Sequence, residues 1–166
     1  DPYLLMEEGL EAPFGAVDRF AIELGVAGDD PRRVEAGILF QLEYNLTVGH
    51  SFLPEEKLLL SAAQLLSLDR EPIAQGLERL LEAGRVVRDA LADITVDYLP
   101  ELHEAEVYTT MRLQELAKKA FPEPEDLEER IAQVSRDSGI EYSAEQTQAI
   151  REAATSGLLL ITGGPG

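Results

Sequence analysis

The residues with the clearest chemical potential sit at the C-terminal end. Gly163, Gly164, Pro165 and Gly166 follow the continuous apolar run Leu158–Thr162. Glycines let a backbone curl until successive N–H groups converge on phosphate oxygens, an approach that side chains would block. A strand feeding such a turn is the first half of a phosphate-binding loop of pattern G-x-x-x-x-G-K-[ST], which runs on into a helix whose N-terminus adds a favourable dipole. Gly163 takes the first place of that pattern, and Gly164, Pro165 and Gly166 take the next three. The second glycine, the lysine and the hydroxyl residue would follow residue 166, so the expectation is a chain cut inside a nucleotide site. The competing reading of GGPG is a plain turn.

Other chemistry is thin. With no cysteine, disulfides and thiolate metal sites are excluded. His50 and His103 lie far apart without ligand spacing and read as surface or turn residues, so no metal site is expected. The 32 acidic residues stand in no hydrolase pattern and read as solvated helix faces. A net charge of −18 repels phosphate backbones at long range. Only 14 residues are Lys or Arg, so any contact with DNA must use a local patch or backbone amides. No apolar run approaches the length of a bilayer, and no N-terminal stretch has the order of a signal peptide. A cytoplasmic location and no membrane contact are expected.

The elements that would position these residues can be followed along the chain. Residues 1–27 read as two short helices around a tight turn. Asp1 caps the first, Pro2 opens it, and Gly25 stops the second, whose inner face is Val17, Phe20, Ala21 and Leu24. Residues 28–100 read as three helices and a β-ribbon. Asp30 and Pro31 open the first helix, with Val34, Ile38, Leu42 and Leu46 in a stripe and Gly49 at its end. Pro54 opens the second, with Leu58, Leu59, Ala62, Leu65 and Leu66 inward. The third starts near Glu71, buries Ile73, Leu77, Leu80 and Leu81, and ends at Gly84. The β-branched RVVRDALADITVDYL then supplies the ribbon.

Residues 101–137 read as a helix with Leu102, Ala105, Thr109, Leu113, Leu116 and Ala120 at helical spacing. An acidic linker follows, then a short helix through Leu127, Ile131 and Val134. In residues 138–166, Ser143 caps a helix and Gln146 completes a capping box. Ala149, Ile150 and Ala153 face inward, and Gly157 stops the helix. Leu158–Thr162, without polar alternation, has the habit of a central strand in a parallel sheet.

At this point the residues resemble a family. YSAEQTQAI followed by LLLITGGPG looks like the opening of the motor core in superfamily-one helicases, closest to RecD-type enzymes. LMEEGLEAPFGAVDRFAIELGV, AGILFQLEYNLTVGHSFLP and ELHEAEVYTTMRLQELA are similar in order and spacing to the N-terminal region of the long RecD-like helicases that act without RecB and RecC. The resemblance implies an ATP- and Mg²⁺-dependent DNA helicase, moving 5′ to 3′ on single strands and opening duplex junctions in repair or recombination. It implies that Gln146, just ahead of the loop, reads the adenine edge with its amide donor and acceptor, a role compatible with the capping box. Tyr142 either packs against the base or belongs to the core.

The resemblance also implies DNA contact by a helix-hairpin-helix unit. Here Glu11, Ala12 and Pro13 stand where the family has a Gly-hydrophobic-Gly turn. Pro13 lacks an N–H and Glu11 repels phosphate, which favours a structural or protein-docking role. Arg85 and Arg88 beside the ribbon are candidate phosphate contacts, or else surface ion pairs.

The fold expected is mainly α. A helix-hairpin-helix and a winged-helix-like module lead into the first helix and strand of an α/β P-loop (RecA-like) motor domain. An alternative is an acidic helical module that docks a protein partner without nucleotide chemistry of its own; a different P-loop ATPase ranks behind both. Phosphoryl transfer needs a lysine on the phosphates, Mg²⁺ ligands and usually an arginine finger, and the resemblance places none of these within residues 1–166. The isolated chain is therefore expected to hydrolyse no ATP; measurable turnover in a phosphate-release assay contradicts that reading.

Overall fold

The computed structural model describes residues 1–6, 10 and 12–163. The chain divides into two compact units, Asp1–Ala105 and Glu106–Gly166.

The first unit opens with a 3-10 turn, Pro2–Met6, at the start of the first expected helix, whose continuation through residues 7–9 lies outside the described residues; Asp1 Oδ1 accepts the Tyr3 N–H at 3.0 Å. It continues through α1 (Phe14–Glu23), α2 (Pro31–Thr47), β1 (Phe52–Pro54), α3 (Glu55–Leu66), α4 (Arg70–Glu82), β2 (Val87–Leu91) and β3 (Ile94–Tyr98). The start of α5 (Pro100–Ala117) completes it. The ribbon is present, and a third strand joins it. The order is β1-β3-β2, all antiparallel, with Phe52 opposite Tyr98 and Arg88 opposite Asp97. At three residues, β1 is too short to show alternation in the sequence, and Pro54 suits an edge position.

Local chemistry explains the helix ends. Asp30 Oδ1 accepts the Arg32 N–H at 2.9 Å, and Pro31 fills the first helical position of α2. Gly25 donates to the Ile22 carbonyl and Val26 to the Ala21 carbonyl, closing α1 where the sequence placed its stop.

One core runs through residues 3–86, so the boundary expected near residue 27 marks no break in packing. Val17 and Ala21 of α1, Val34, Ile38 and Leu42 of α2, Leu58, Leu59, Ala62 and Leu66 of α3, and Ile73, Leu77 and Leu80 of α4 are all buried. Three expected inward residues are not: Phe20, Leu24 and Leu46 are exposed. Phe14, Val17 and Ala21 recur every three to four residues and form a narrow buried stripe, which leaves Phe20 on the flank of α1, while Leu24 follows the helix as its C-cap residue. Leu65 and Leu81 are half-buried. The helices approach closely at Gly76, where a Cβ would lie 2.5 Å from Val34 Cγ1.

A polar latch crosses this core. Arg33 is buried, and its guanidinium meets both carboxylate oxygens of Asp18, at 2.9 and 3.0 Å. The same side chain donates to the carbonyls of Gly28, at 2.7 Å, and Leu66, at 3.1 Å. Tyr3 donates its hydroxyl to Asp18 Oδ1 at 2.8 Å. Burial first, then the Asp18 hydrogen bond, raises the Tyr3 phenol well above its ordinary pKa. The opening turn, α1, α2 and the last residue of α3 thus share one buried cation.

In the second unit, α6 (Leu127–Ser138) and α7 (Ala144–Thr155) follow α5. Leu127 is buried, no residue of α5 is, and Leu113 is exposed. Ala149 and Ile150 of α7 are half-buried, whereas Ala153, expected inward, is exposed. The expectation of a strand at Leu158–Thr162 is not met: these residues form no ladder, and Leu160 and Ile161 are exposed. A continuous apolar run becomes a central strand only where neighbouring strands offer their N–H and C=O groups. No described residue of this unit forms such a strand.

Removing one partner of a buried ion pair strands the other. Arg33→Ala should therefore lower the stability of the first unit by about 3 kcal/mol in urea denaturation. Tyr3→Phe, losing one hydrogen bond, should lower it by about 1 kcal/mol. Equal, near-zero effects would show that the latch is not stabilising.

Candidate functional site

The sequence-predicted nucleotide residues lie in the second unit. Ser143 Oγ accepts the Gln146 N–H at 3.3 Å, and Gln146 Oε1 accepts the Ser143 N–H at 2.9 Å. The capping box expected from S-x-x-Q is formed. It uses the amide oxygen of Gln146 as an acceptor and leaves the Nε2 donors without a partner among the described residues. Glu145 is held below its usual carboxylate pKa by a backbone N–H and then by the Ser143 hydroxyl, which donates to it at 2.8 Å. Gln146 is exposed and Tyr142 half-buried. Gly163 is exposed, and a Cβ built there would meet nothing within 4 Å. Gly164, Pro165 and Gly166 lie outside the described residues. No hydrogen bond joins Tyr142, Gln146 and Gly163.

The end of α7 is fixed by backbone pairing. Phe121 N–H donates to the Thr155 carbonyl at 2.8 Å, and Gly157 N–H to the Lys119 carbonyl at 3.0 Å. A Cβ at residue 157 would fall 2.4 Å from the Leu116 carbonyl oxygen, so only glycine fits. Gly157, expected as a stop signal, serves instead to bring the start of the apolar run against the chain at Leu116–Lys119. A glycine after a helical pattern carries no sign of which task it has. Arg151 Nε, 2.6 Å from Glu128 Oε1, ties α7 to α6.

The candidate phosphate contacts of the first unit have different surroundings. Arg88 meets Asp97 at 2.9 Å, Glu55 at 3.0 Å and Glu78 at 3.1 Å. It clamps β2 and β3 to the start of α3 and the middle of α4, and its surroundings are net negative. Asp97 is fully buried. Burial pushes its carboxyl up, and the Arg88 hydrogen bond and charge pull it back only in part. Asp97 was missed in the sequence because an Asp on a ribbon normally faces water; its register partner Arg88 was the available signal. Arg85 is exposed and lines a cleft of about 440 Å³ with Tyr3, Arg32, Glu35 and Glu43.

The described part of the N-terminal hairpin offers phosphate little. Ala12 already donates its N–H to the Leu5 carbonyl at 2.9 Å, and Pro13 has none. Glu11 lies outside the described residues. His103 Nε2 is 3.2 Å from Asp89 Oδ2, and its ring stands edge-on to Tyr98. His50 lines a second, smaller cleft. The described residues hold no His, Asp or Glu cluster suited to a metal ion and no helix long and apolar enough to cross a membrane.

Residues 1–52 match the family model of the HHH domain of ATP-dependent RecD2 DNA helicases. The matched stretch covers the opening turn, α1, the whole of α2 and the first residue of β1. An HHH domain is a DNA-binding kind of domain.

The Arg88–Asp97 pair predicts a pH dependence. The folded-state pKa of Asp97 is raised, so its protonated form is favoured in the fold, and stability is lost as pH rises through that pKa. Arg88 offsets the loss. Arg88→Gln should cost little near pH 3, where Asp97 is protonated, and about 3 kcal/mol at pH 7. A pH-independent cost would contradict this.

Proposed function

We propose that this chain is the N-terminal part of an ATP-dependent RecD-like DNA helicase of superfamily one, and that Gly163–Gly166 open its phosphate-binding loop. The match of residues 1–52 to the RecD2 helicase HHH domain carries the reading. The α-β-α-α-β-β order of the first unit from α2 to β3 supports a winged-helix-like module in this reading. The second contributes the Ser143–Gln146 capping box one helix ahead of the glycines.

On this reading ATP is the nucleotide. Open space at Gly163 suits close approach of a backbone amide to phosphate. Gln146, whose Nε2 donors have no partner among the described residues, gives a donor to adenine N7 and, with the second lone pair of Oε1, an acceptor to its amino group. Tyr142, four residues earlier, flanks the base. Bound Mg²⁺-ATP supplies the phosphoryl group whose transfer drives unwinding. No described residue is assigned to the metal. On the same reading the full-length enzyme moves 5′ to 3′ on single-stranded DNA.

A second reading, an acidic module that docks a protein, has its own support: Ala12 and Pro13 leave the hairpin poor in amide donors.

Gln146→Glu separates the two duties of this residue. A glutamate still accepts the Ser143 N–H, so α7 keeps its cap, but the donor for adenine is gone. In a chain carried through the complete loop, the variant should keep its helicity by circular dichroism and lose about tenfold in ATP affinity, with GTP unaffected. Unchanged ATP affinity would remove the adenine-reading role.

A further inference from the structure

The chain carries sulfur at two places only. It has two methionines, Met6 and Met111, and no cysteine. Their surroundings are opposite. Met6 ends the opening turn, is half-buried and packs against the core of the first unit. Met111 lies in α5 and is 56% exposed. No residue of α5 is buried, so no core packing holds the Met111 thioether.

The place of Met111 on the helix gives its exposure a consequence. Val107 and Tyr108 stand four and three residues before it and share its face. Both are exposed, so the three side chains form an apolar surface on α5. The backbone ladder of the helix and the Arg112–Glu115 ion pair hold this turn, and neither uses the thioether.

We infer that Met111 is an oxidation site, at which a peroxide turns an apolar face of α5 polar without unfolding the helix. A sulfur lone pair attacks one peroxide oxygen and the O–O bond breaks. The sulfur keeps that oxygen as a sulfoxide, and the other oxygen leaves as water with both hydrogens. The thioether loses two electrons and the peroxide gains them. Oxidation follows the access of the oxidant, which favours Met111 over the packed Met6. With no thiol in the chain, no cysteine competes. The same lack decides how the step reverses. Reduction to thioether and water takes two electrons, which a pair of thiols supplies as they join in a disulfide. The chain holds no such pair, so the reductant is a separate thiol-bearing reductase.

This inference does not use the helicase reading and stands or falls apart from it. The test treats the whole 166-residue chain with dilute hydrogen peroxide and follows both methionines by peptide mass spectrometry. Met111 should take up oxygen about tenfold faster than Met6, and in concentrated urea the two rates should agree within about twofold. The oxidised chain should keep its circular dichroism and elute earlier from an apolar chromatography resin. Met111→Leu retains a good helix former and an apolar side chain of similar volume, so it should abolish the shift in elution. Met6→Leu should leave the shift in place. Equal rates in the folded chain, faster oxidation of Met6, or loss of helicity on oxidation of Met111 overturns the inference. A shift in elution that persists in Met111→Leu overturns it as well.

Discussion

The first unit depends on one buried cation. Arg33 sits in the first turn of α2 with its guanidinium turned back to Asp18 of α1, to the loop carbonyl at Gly28 and to the final carbonyl of α3. A buried guanidinium must satisfy its donors, and these partners come from elements far apart in sequence. Satisfying them fixes α1 on α2 and sets where α3 ends. Tyr3 closes the network from the opening turn. The hydrophobic stripes of α2, α3 and α4 then pack around Gly76, where a missing side chain allows the closest approach. Residues matched to the HHH domain and the helices after them are therefore one folding unit rather than beads on a string.

A second polar centre, Arg88 on Asp97, plays the corresponding part for the sheet. It explains how an acidic chain organises its few cations. Most of the first unit's arginines are paired with carboxylates, Arg33 and Arg88 inside the fold and Arg32, Arg70 and Arg79 at its surface.

Much of the fold was legible in the sequence. Helix starts with Asp-Pro or Ser-x-x-Gln, glycine stops and apolar stripes marked α2, α3, α4, α6 and α7. The β-branched run after Gly84 marked the ribbon. What was not legible is what depends on distant partners. β1 exists because β3 offers it a free edge. Asp97 is buried because Arg88 lies opposite. Leu158–Thr162 has the composition of a core strand, but ladder partners make a strand, and the described residues of the second unit include none. Of the candidate nucleotide residues, Gln146 was placed with its cap, while Gly164, Pro165 and Gly166 lie outside the described residues.

The claim that the HHH-matched segment and the following helices share one latched core is best tested by native-state hydrogen exchange. Amides of α1 around Ala21 and of α4 around Leu77 should show the same protection free energy and lose it together as denaturant is raised. Exchange of the α1 amides by local opening, well ahead of α4 and insensitive to denaturant, would show that residues 1–27 are an independent element and that Arg33 does not bind the unit together.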